Sequence, residues 1–135
     1  MTRTVMLLTL SLLSTAALAA DWPQWRGPDA NGISRESGWK SEWGKDGVPV
    51  LWKTQVGTGY SSLSIAHGRL YTLGHRDGKE TLYCLDAITG QEVWKHTYSA
   101  ALVANLHKGG PATTPTIADS HVYSMSRDGK LMALT

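Results

Sequence analysis

Histidine and cysteine residues, which often carry chemistry in proteins, occur in this chain without the spacing that a metal site requires. No two histidines stand in a His-x-His or His-x-x-x-His pattern, and Cys84 is the single cysteine. The five histidines are His67, His75, His96, His107 and His121. Because His67 and His121 lie beside proposed hairpin turns, we interpret them as surface side chains, and the sequence predicts no metal ligands.

Loops that bind phosphate or present a nucleophile are also missing. Residues 57–59, Gly-Thr-Gly, begin like a dinucleotide-binding loop, but Ser62 replaces the third glycine and a strand pattern follows. Residues 108–111, Lys-Gly-Gly-Pro, lack the frame of a phosphate loop, and no Gly-x-Ser-x-Gly nucleophile elbow occurs. The acidic residues stand mostly in turns, so the sequence predicts no catalytic residues and leaves any cofactor-binding residues unknown.

Residues 1–19 are predicted to form a secretory signal peptide. Arg3 precedes an apolar run over residues 5–13, and Ala17-Leu18-Ala19 forms a small-x-small cleavage site. A membrane anchor is the alternative, but the run is shorter than the roughly 20 residues that a spanning helix needs. We expect a periplasmic or secreted protein that does not span the membrane and starts near Ala20 or Asp21.

The charge of the mature chain gives little reason to expect nucleic acid as a partner. Removal of Arg3 leaves 12 basic against 11 acidic residues, a net charge of about +1. Cys84 cannot form an internal disulfide, so stability must come from packing. Its apolar surroundings in the sequence favour a small buried side chain over a reactive thiol.

Residues 20–49 are rich in glycine, proline, aspartate, asparagine and serine, which favour turns over regular structure. The segment also contains four of the six tryptophans, Trp22, Trp25, Trp39 and Trp43. We predict an ordered arm that is pinned to the rest of the protein by its tryptophans.

From residue 50 onward, short apolar runs alternate with turn residues, which is the pattern of antiparallel strands. The candidate strands cover residues 50–56, 62–66, 69–73, 81–85 and 92–98. Tight turns are predicted at His67-Gly68 and Asp77-Gly78, where glycine supplies positive φ, and a longer turn begins at Asp86.

The tetrapeptide Arg-Asp-Gly-Lys occurs at residues 76–79 and again at 127–130, within two matching frames. Residues 114–118, 122–125 and 131–134 repeat the pattern of 62–66, 70–73 and 82–85. A partial copy lies upstream, because the surroundings of Trp52 resemble those of Trp94. Four-strand units of this length predict an all-β propeller, with one complete and one incomplete blade in residues 50–135. A two-sheet sandwich is the alternative.

Residues 82–94 resemble the repeat of the pyrroloquinoline-quinone (PQQ) type propellers, the quinoprotein alcohol dehydrogenase-like fold. That repeat has the pattern apolar-x-Ala-Leu-Asp-x-x-Thr-Gly-x-x-x-Trp. Cys84 replaces the alanine, and the matching residues include Asp86, Thr89, Gly90 and Trp94. The resemblance covers residues 50–135, and residues 21–28 are similar to the start of mature secreted bacterial members. It implies that Trp94 and Trp52 dock flat against neighbouring blades.

A propeller needs roughly four to eight blades to close. We therefore expect the sequence to be the N-terminal fragment of a longer protein, in which residues 50–56 complete the last blade. Alone, the fragment is expected to aggregate or stay partly unfolded, since sheet edges and faces would be uncovered.

The family resemblance leaves three functions open. Dehydrogenases of this fold hold PQQ and calcium in the central channel, often under a Cys-Cys disulfide that this chain lacks. We expect no cofactor in this part of the chain; PQQ and calcium are conceivable only in the full-length protein. The favoured function is a non-catalytic binding or scaffold protein with a protein or polysaccharide partner in the cell envelope. The alternatives are a quinoprotein-type oxidoreductase and a carbohydrate-binding propeller that uses Trp22, Trp25, Trp39 and Trp43.

Outer-membrane assembly lipoproteins share the same propeller repeat. Their lipid-anchoring cysteine is absent here, because no cysteine follows the small residues that end the signal. On that ground we do not expect the chain to be a direct member of that group.

Overall fold

A computed structural model of the chain describes residues 20–105 and 108–135. The predicted signal peptide and His107 lie outside these described residues. Within them the structure is all-β, with seven strands and no helix. The strands are β1 (Ser64–Ala66), β2 (Arg69–Arg76), β3 (Lys79–Asp86), β4 (Glu92–Ser99), β5 (Thr116–Ala118), β6 (His121–Met125) and β7 (Leu131–Leu134).

The first four strands form one antiparallel sheet in the order β1-β2-β3-β4. The turns between its first three strands have positive φ at both central residues: 52° and 71° at His67 and Gly68, and 51° and 73° at Asp77 and Gly78. Such turns match the twist of paired strands. The predicted tight hairpins are therefore confirmed.

The second sheet, β5-β6-β7, repeats the pairing of the first. Ile117 pairs with Val122 as Ile65 pairs with Leu70, and Tyr123 pairs with Ala133. In the first sheet, Tyr71 pairs with Cys84 at the equivalent position. The residues that repeat in the sequence therefore have the same strand pairing in both sheets.

The core lies between the two sheets. It contains Tyr71, Leu73, Leu82 and Cys84 from the first sheet and Val122 from the second. Cys84 is buried, as predicted, and burial raises the pKa of its thiol. Residues on both faces of β2 are buried, as expected of a propeller blade that packs on each side. The predicted fold class, a partial β-propeller, is confirmed, and the described strands do not close a ring.

The strand predicted over residues 50–56 is wrong. This segment has no strand pairing; it crosses the face of the first sheet that points away from the second. A Cβ added to Gly74 would clash with the carbonyl oxygen of Val56, so the two backbones are in close contact. Trp52 and Val56 of the segment are partly buried, whereas Val50 and Leu51 are exposed, and none of the four adds to the ladder.

The tryptophans of the arm are less buried than the predicted pinning requires. Trp22 is half-buried, whereas Trp25, Trp39 and Trp43 are 64%, 71% and 43% exposed. Backbone turns cover residues 25–30, and no strand forms in residues 20–49. In the described ranges we also find no helix that is long and apolar enough to cross a membrane.

Candidate functional site

The turn that joins β3 to β4 carries the family motif and is organised by Asp86. Its Oδ1 accepts hydrogen bonds from the backbone nitrogens of Ile88 (3.1 Å) and Thr89 (2.9 Å), and from the Thr89 hydroxyl (2.9 Å). Its Oδ2 lies 3.1 Å from the Arg69 guanidinium. The hydrogen bonds from Thr89, with smaller contributions from Ile88 and Arg69, lower the pKa of Asp86.

Trp52 packs on this same turn. Gly90 has φ of 71°, and a Cβ added there would lie 2.4 Å from the Trp52 ring. The indole nitrogen of Trp52 donates a hydrogen bond to the Ala87 carbonyl at 3.3 Å. Only glycine combines this backbone conformation with such close contact to an indole.

Trp94 lies apart from the other four motif residues. It projects from β4 towards the second sheet, and its ring centroid is 6.0 Å from that of Tyr71. The structure therefore brings Trp52, Asp86, Thr89 and Gly90 together and places Trp94 at the junction of the two sheets. Because Asp86 Oδ1 accepts hydrogen bonds within the turn and Oδ2 pairs with Arg69 of β2, this arrangement is suited to packing rather than to proton transfer.

The arm covers the first strand of each sheet. Trp22 exchanges backbone hydrogen bonds of 2.7 and 2.9 Å with Ile65 in β1, and the Pro23 carbonyl accepts one of 2.8 Å from Ile117 in β5. The Trp22 ring lies against Gly27, where an added Cβ would come within 2.7 Å. Two sheet edges that would otherwise be open are thereby paired with the chain itself.

The buried polar cluster around Glu80 and Tyr98 was not predicted from the sequence. Glu80 is 1% exposed, and its Oε2 accepts a hydrogen bond of 2.7 Å from the Tyr98 hydroxyl. Burial, followed by this contact with Glu80, raises the pKa of Tyr98. His75 is also buried, with Nε2 3.0 Å from the Ala100 carbonyl. The period-two pattern could have located Glu80, which shares a sheet face with Leu82 and Cys84.

The outer face of the second sheet borders a cavity of about 600 Å³. Its aromatic lining consists of Trp25, Tyr60 and Tyr123, while Met125 and Leu131 are further apolar lining residues. The strand pairing makes three residues of this face, Tyr123, Met125 and Leu131, equivalent to Tyr71, Leu73 and Leu82 of the first sheet. Those residues of the first sheet are covered by the second sheet. This equivalence indicates a surface suited to another sheet.

No group of three or more histidine, cysteine or acidic residues suited to a metal ion occurs in residues 20–105 and 108–135. In comparisons with known proteins, the family model described as outer membrane protein assembly factor BamB, a PQQ-like repeat family, matches residues 30–135. No curated protein and no solved structure matches the chain. The match confirms the predicted membership of the PQQ-like repeat family.

Proposed function

Because the chain belongs to the PQQ-like repeat family described as outer membrane protein assembly factor BamB, we propose that it is a non-catalytic binding or scaffold propeller of the cell envelope. In this proposal residues 1–19 direct export, residues 20–49 form a binding arm, and residues 50–135 belong to the propeller. The family description concerns assembly, a task that depends on contacts between proteins. The natural partner is therefore another envelope protein.

One observation carries the proposal: the later part of the arm and the residues that follow it expose several large apolar side chains. Trp39 is 71% exposed, Val48 61% and Leu51 81%, and Trp43 is also exposed. Exposed apolar patches mark interaction sites, and tryptophan is enriched among the residues that dominate binding energy. This stretch, residues 39–51, is the proposed binding segment.

The quinoprotein alternative fits the described residues poorly. Dehydrogenases of this fold hold their quinone and calcium in the central channel, which the inner strands of the blades line. Here the arm occupies the free edges of β1 and β5, the first strand of each sheet. Calcium requires several oxygen ligands, whereas the carboxylates of Asp86 and Glu80 already accept hydrogen bonds within the fold. We therefore propose that these residues hold neither group.

Carbohydrate binding is the second candidate, and the cavity beside Trp25 favours it. A 64% exposed indole, the Tyr60 and Tyr123 rings and several hydroxyl groups border this cavity, a combination that suits a sugar face. The register equivalence of the same face with the buried face of the first sheet makes a further sheet the better occupant. The scaffold function is therefore preferred.

Site-specific cross-linking in the native host tests the proposal. A photo-reactive residue at position 43 should form adducts with an envelope protein, and Trp39→Ala should reduce their yield about tenfold or more if Trp39 dominates the contact. Ile88→Ala, at an exposed residue on the β3–β4 turn, is the matched control and should leave the yield unchanged. Unaltered adducts in Trp39→Ala, or calcium-dependent dye reduction with PQQ, would contradict the proposed function.

A further inference from the structure

The backbone nitrogen of Ala20 lies 2.7 Å from Oε1 of Glu36, sixteen residues along the chain. The residues that follow Ala20 fix its position. Asp21 accepts a 3.2 Å hydrogen bond from the His67 nitrogen, and Trp22 exchanges two backbone hydrogen bonds with β1. The nitrogen of Ala20 is thus held in place and directed at a carboxylate.

The Glu36 carboxylate is itself oriented by local contacts. The Ser34 hydroxyl donates to Oε2 at 3.4 Å and accepts a hydrogen bond from the Glu36 backbone nitrogen at 3.2 Å. The adjacent cation, Arg35, pairs with Asp29 instead, at 2.8 Å. A negatively charged side chain therefore contacts a neutral amide, although a cation would be the better partner.

We propose that the Glu36 carboxylate binds a new amino terminus, which is created when the chain is cut between Ala19 and Ala20. The proposal rests on the export step of the proposed function and selects Ala20 over Asp21 as the first mature residue. Cleavage hydrolyses the amide bond: water supplies a hydroxyl to the Ala19 carbonyl carbon and a hydrogen to the Ala20 nitrogen. The released amine then takes up a proton, because an α-amino group has a pKa near 8 (about 7.7–8.0).

The change from amide to ammonium strengthens this one contact. The amide offers one hydrogen and no net charge, whereas the ammonium offers three hydrogens and a full positive charge, which makes its hydrogen bond to a carboxylate charge-assisted. Asp21 adds a second nearby carboxylate. Arg35 and, when protonated, His67 are the opposing charges; His67 Nδ1 lies 3.7 Å from Asp21 Oδ2. Processing thus links the start of the arm to Glu36.

The first experiment determines the amino terminus. The chain is expressed with residues 1–19 in a bacterial host that has a periplasm, and the exported protein is sequenced from its amino terminus. We expect Ala20 as the first residue. A start at Asp21 or later, or an uncut chain, would overturn the inference. Cross-linking at position 43 does not depend on Glu36, so a failure here remains distinguishable from failure of the proposed function.

The second experiment measures the ammonium–carboxylate pair. An exposed pair of this kind contributes about 0.2–1 kcal/mol, so acylation of the Ala20 amine at neutral pH should be about 1.4-fold to fivefold faster in Glu36→Gln than in the unmodified protein. Glu42→Gln removes another exposed carboxylate of the same arm and should leave the rate unchanged. Equal rates in all three proteins, or equal acceleration in both variants, would contradict the assignment.

Discussion

At the scale of single residues, the contact between Trp52 and Gly90 is the most demanding feature of the fold. Gly90→Ala places a methyl group in the indole ring at a backbone conformation with φ of 71°, so we expect a loss of about 2–4 kcal/mol in the free energy of unfolding. Chemical denaturation followed by tryptophan fluorescence measures this loss.

Gly78→Ala is the matched control, because Gly78 has φ of 73° and an added Cβ would meet no atom within 4 Å. It should cost only about 1 kcal/mol, the penalty of the backbone conformation alone. Equal losses in the two variants would show that Trp52 does not dock on Gly90.

The lowered pKa of Asp86 predicts how the stability of the protein depends on pH. Its pKa is lowered in the folded protein, chiefly by the backbone and side-chain hydrogen bonds from Thr89. The stabilisation it provides is therefore fully present above its ordinary pKa of 3.8 and is lost as the pH falls through the lower folded value.

Denaturation midpoints measured between pH 6 and pH 2 test this dependence. Asp86→Asn should have a flatter profile than the unmodified protein in the acid range, because the group that titrates is gone. Asp119→Asn, in the turn between β5 and β6, is the comparison and should retain the acid dependence that Asp86 produces. Parallel profiles for Asp86→Asn and the unmodified protein would contradict the assignment.

At the scale of elements, β3 and β4 are joined through a buried carboxylate as well as through their ladder. Tyr98→Phe removes the hydroxyl that donates to Glu80 at 2.7 Å, and Glu80 is 1% exposed. An uncompensated buried acceptor costs about 1–3 kcal/mol, which equilibrium unfolding would detect. Tyr83→Phe is the control, since Tyr83 points to the opposite face of β3 and should change stability little. A larger loss of stability in Tyr83→Phe than in Tyr98→Phe would contradict the role of the Tyr98 hydroxyl.

The sequence predicted elements best where turn chemistry marks their ends. The hairpins at His67-Gly68 and Asp77-Gly78 set the register of the first sheet, and β2 and β3 extend further than predicted because pairing continues to Arg76 and Lys79 beside the second turn. The strand prediction for residues 50–56 was wrong because a short apolar run does not show whether a segment pairs with a strand or crosses a sheet face.

Contacts between distant segments could not be predicted from local patterns. The bonds from Trp22 to Ile65 and from Pro23 to Ile117 join parts of the chain that share no periodicity. The same holds for the site. The motif indicates the local turn formed by Asp86, Thr89 and Gly90. The packing of Trp52 on that turn is a tertiary contact, which the motif does not indicate. The exposure of Trp39 and Trp43 also depends on the path of the arm.

At the scale of the whole molecule, the central claim is that the two sheets are stacked as neighbouring blades. The second sheet covers Tyr71, Leu73 and Leu82 of the first, and the repeat places Tyr123, Met125 and Leu131 at the equivalent positions of its own outer face. The same surface chemistry on successive sheets favours continued stacking around an axis. A two-sheet sandwich would instead have a solvated outer face.

An experimental structure of the protein produced from its native gene tests this claim most directly. We predict that another four-stranded sheet covers Tyr123, Met125 and Leu131, as the second sheet covers the first, with the arm still paired to β1 and β5. A structure in which these three side chains remain in solvent and the two sheets form a closed sandwich would contradict it.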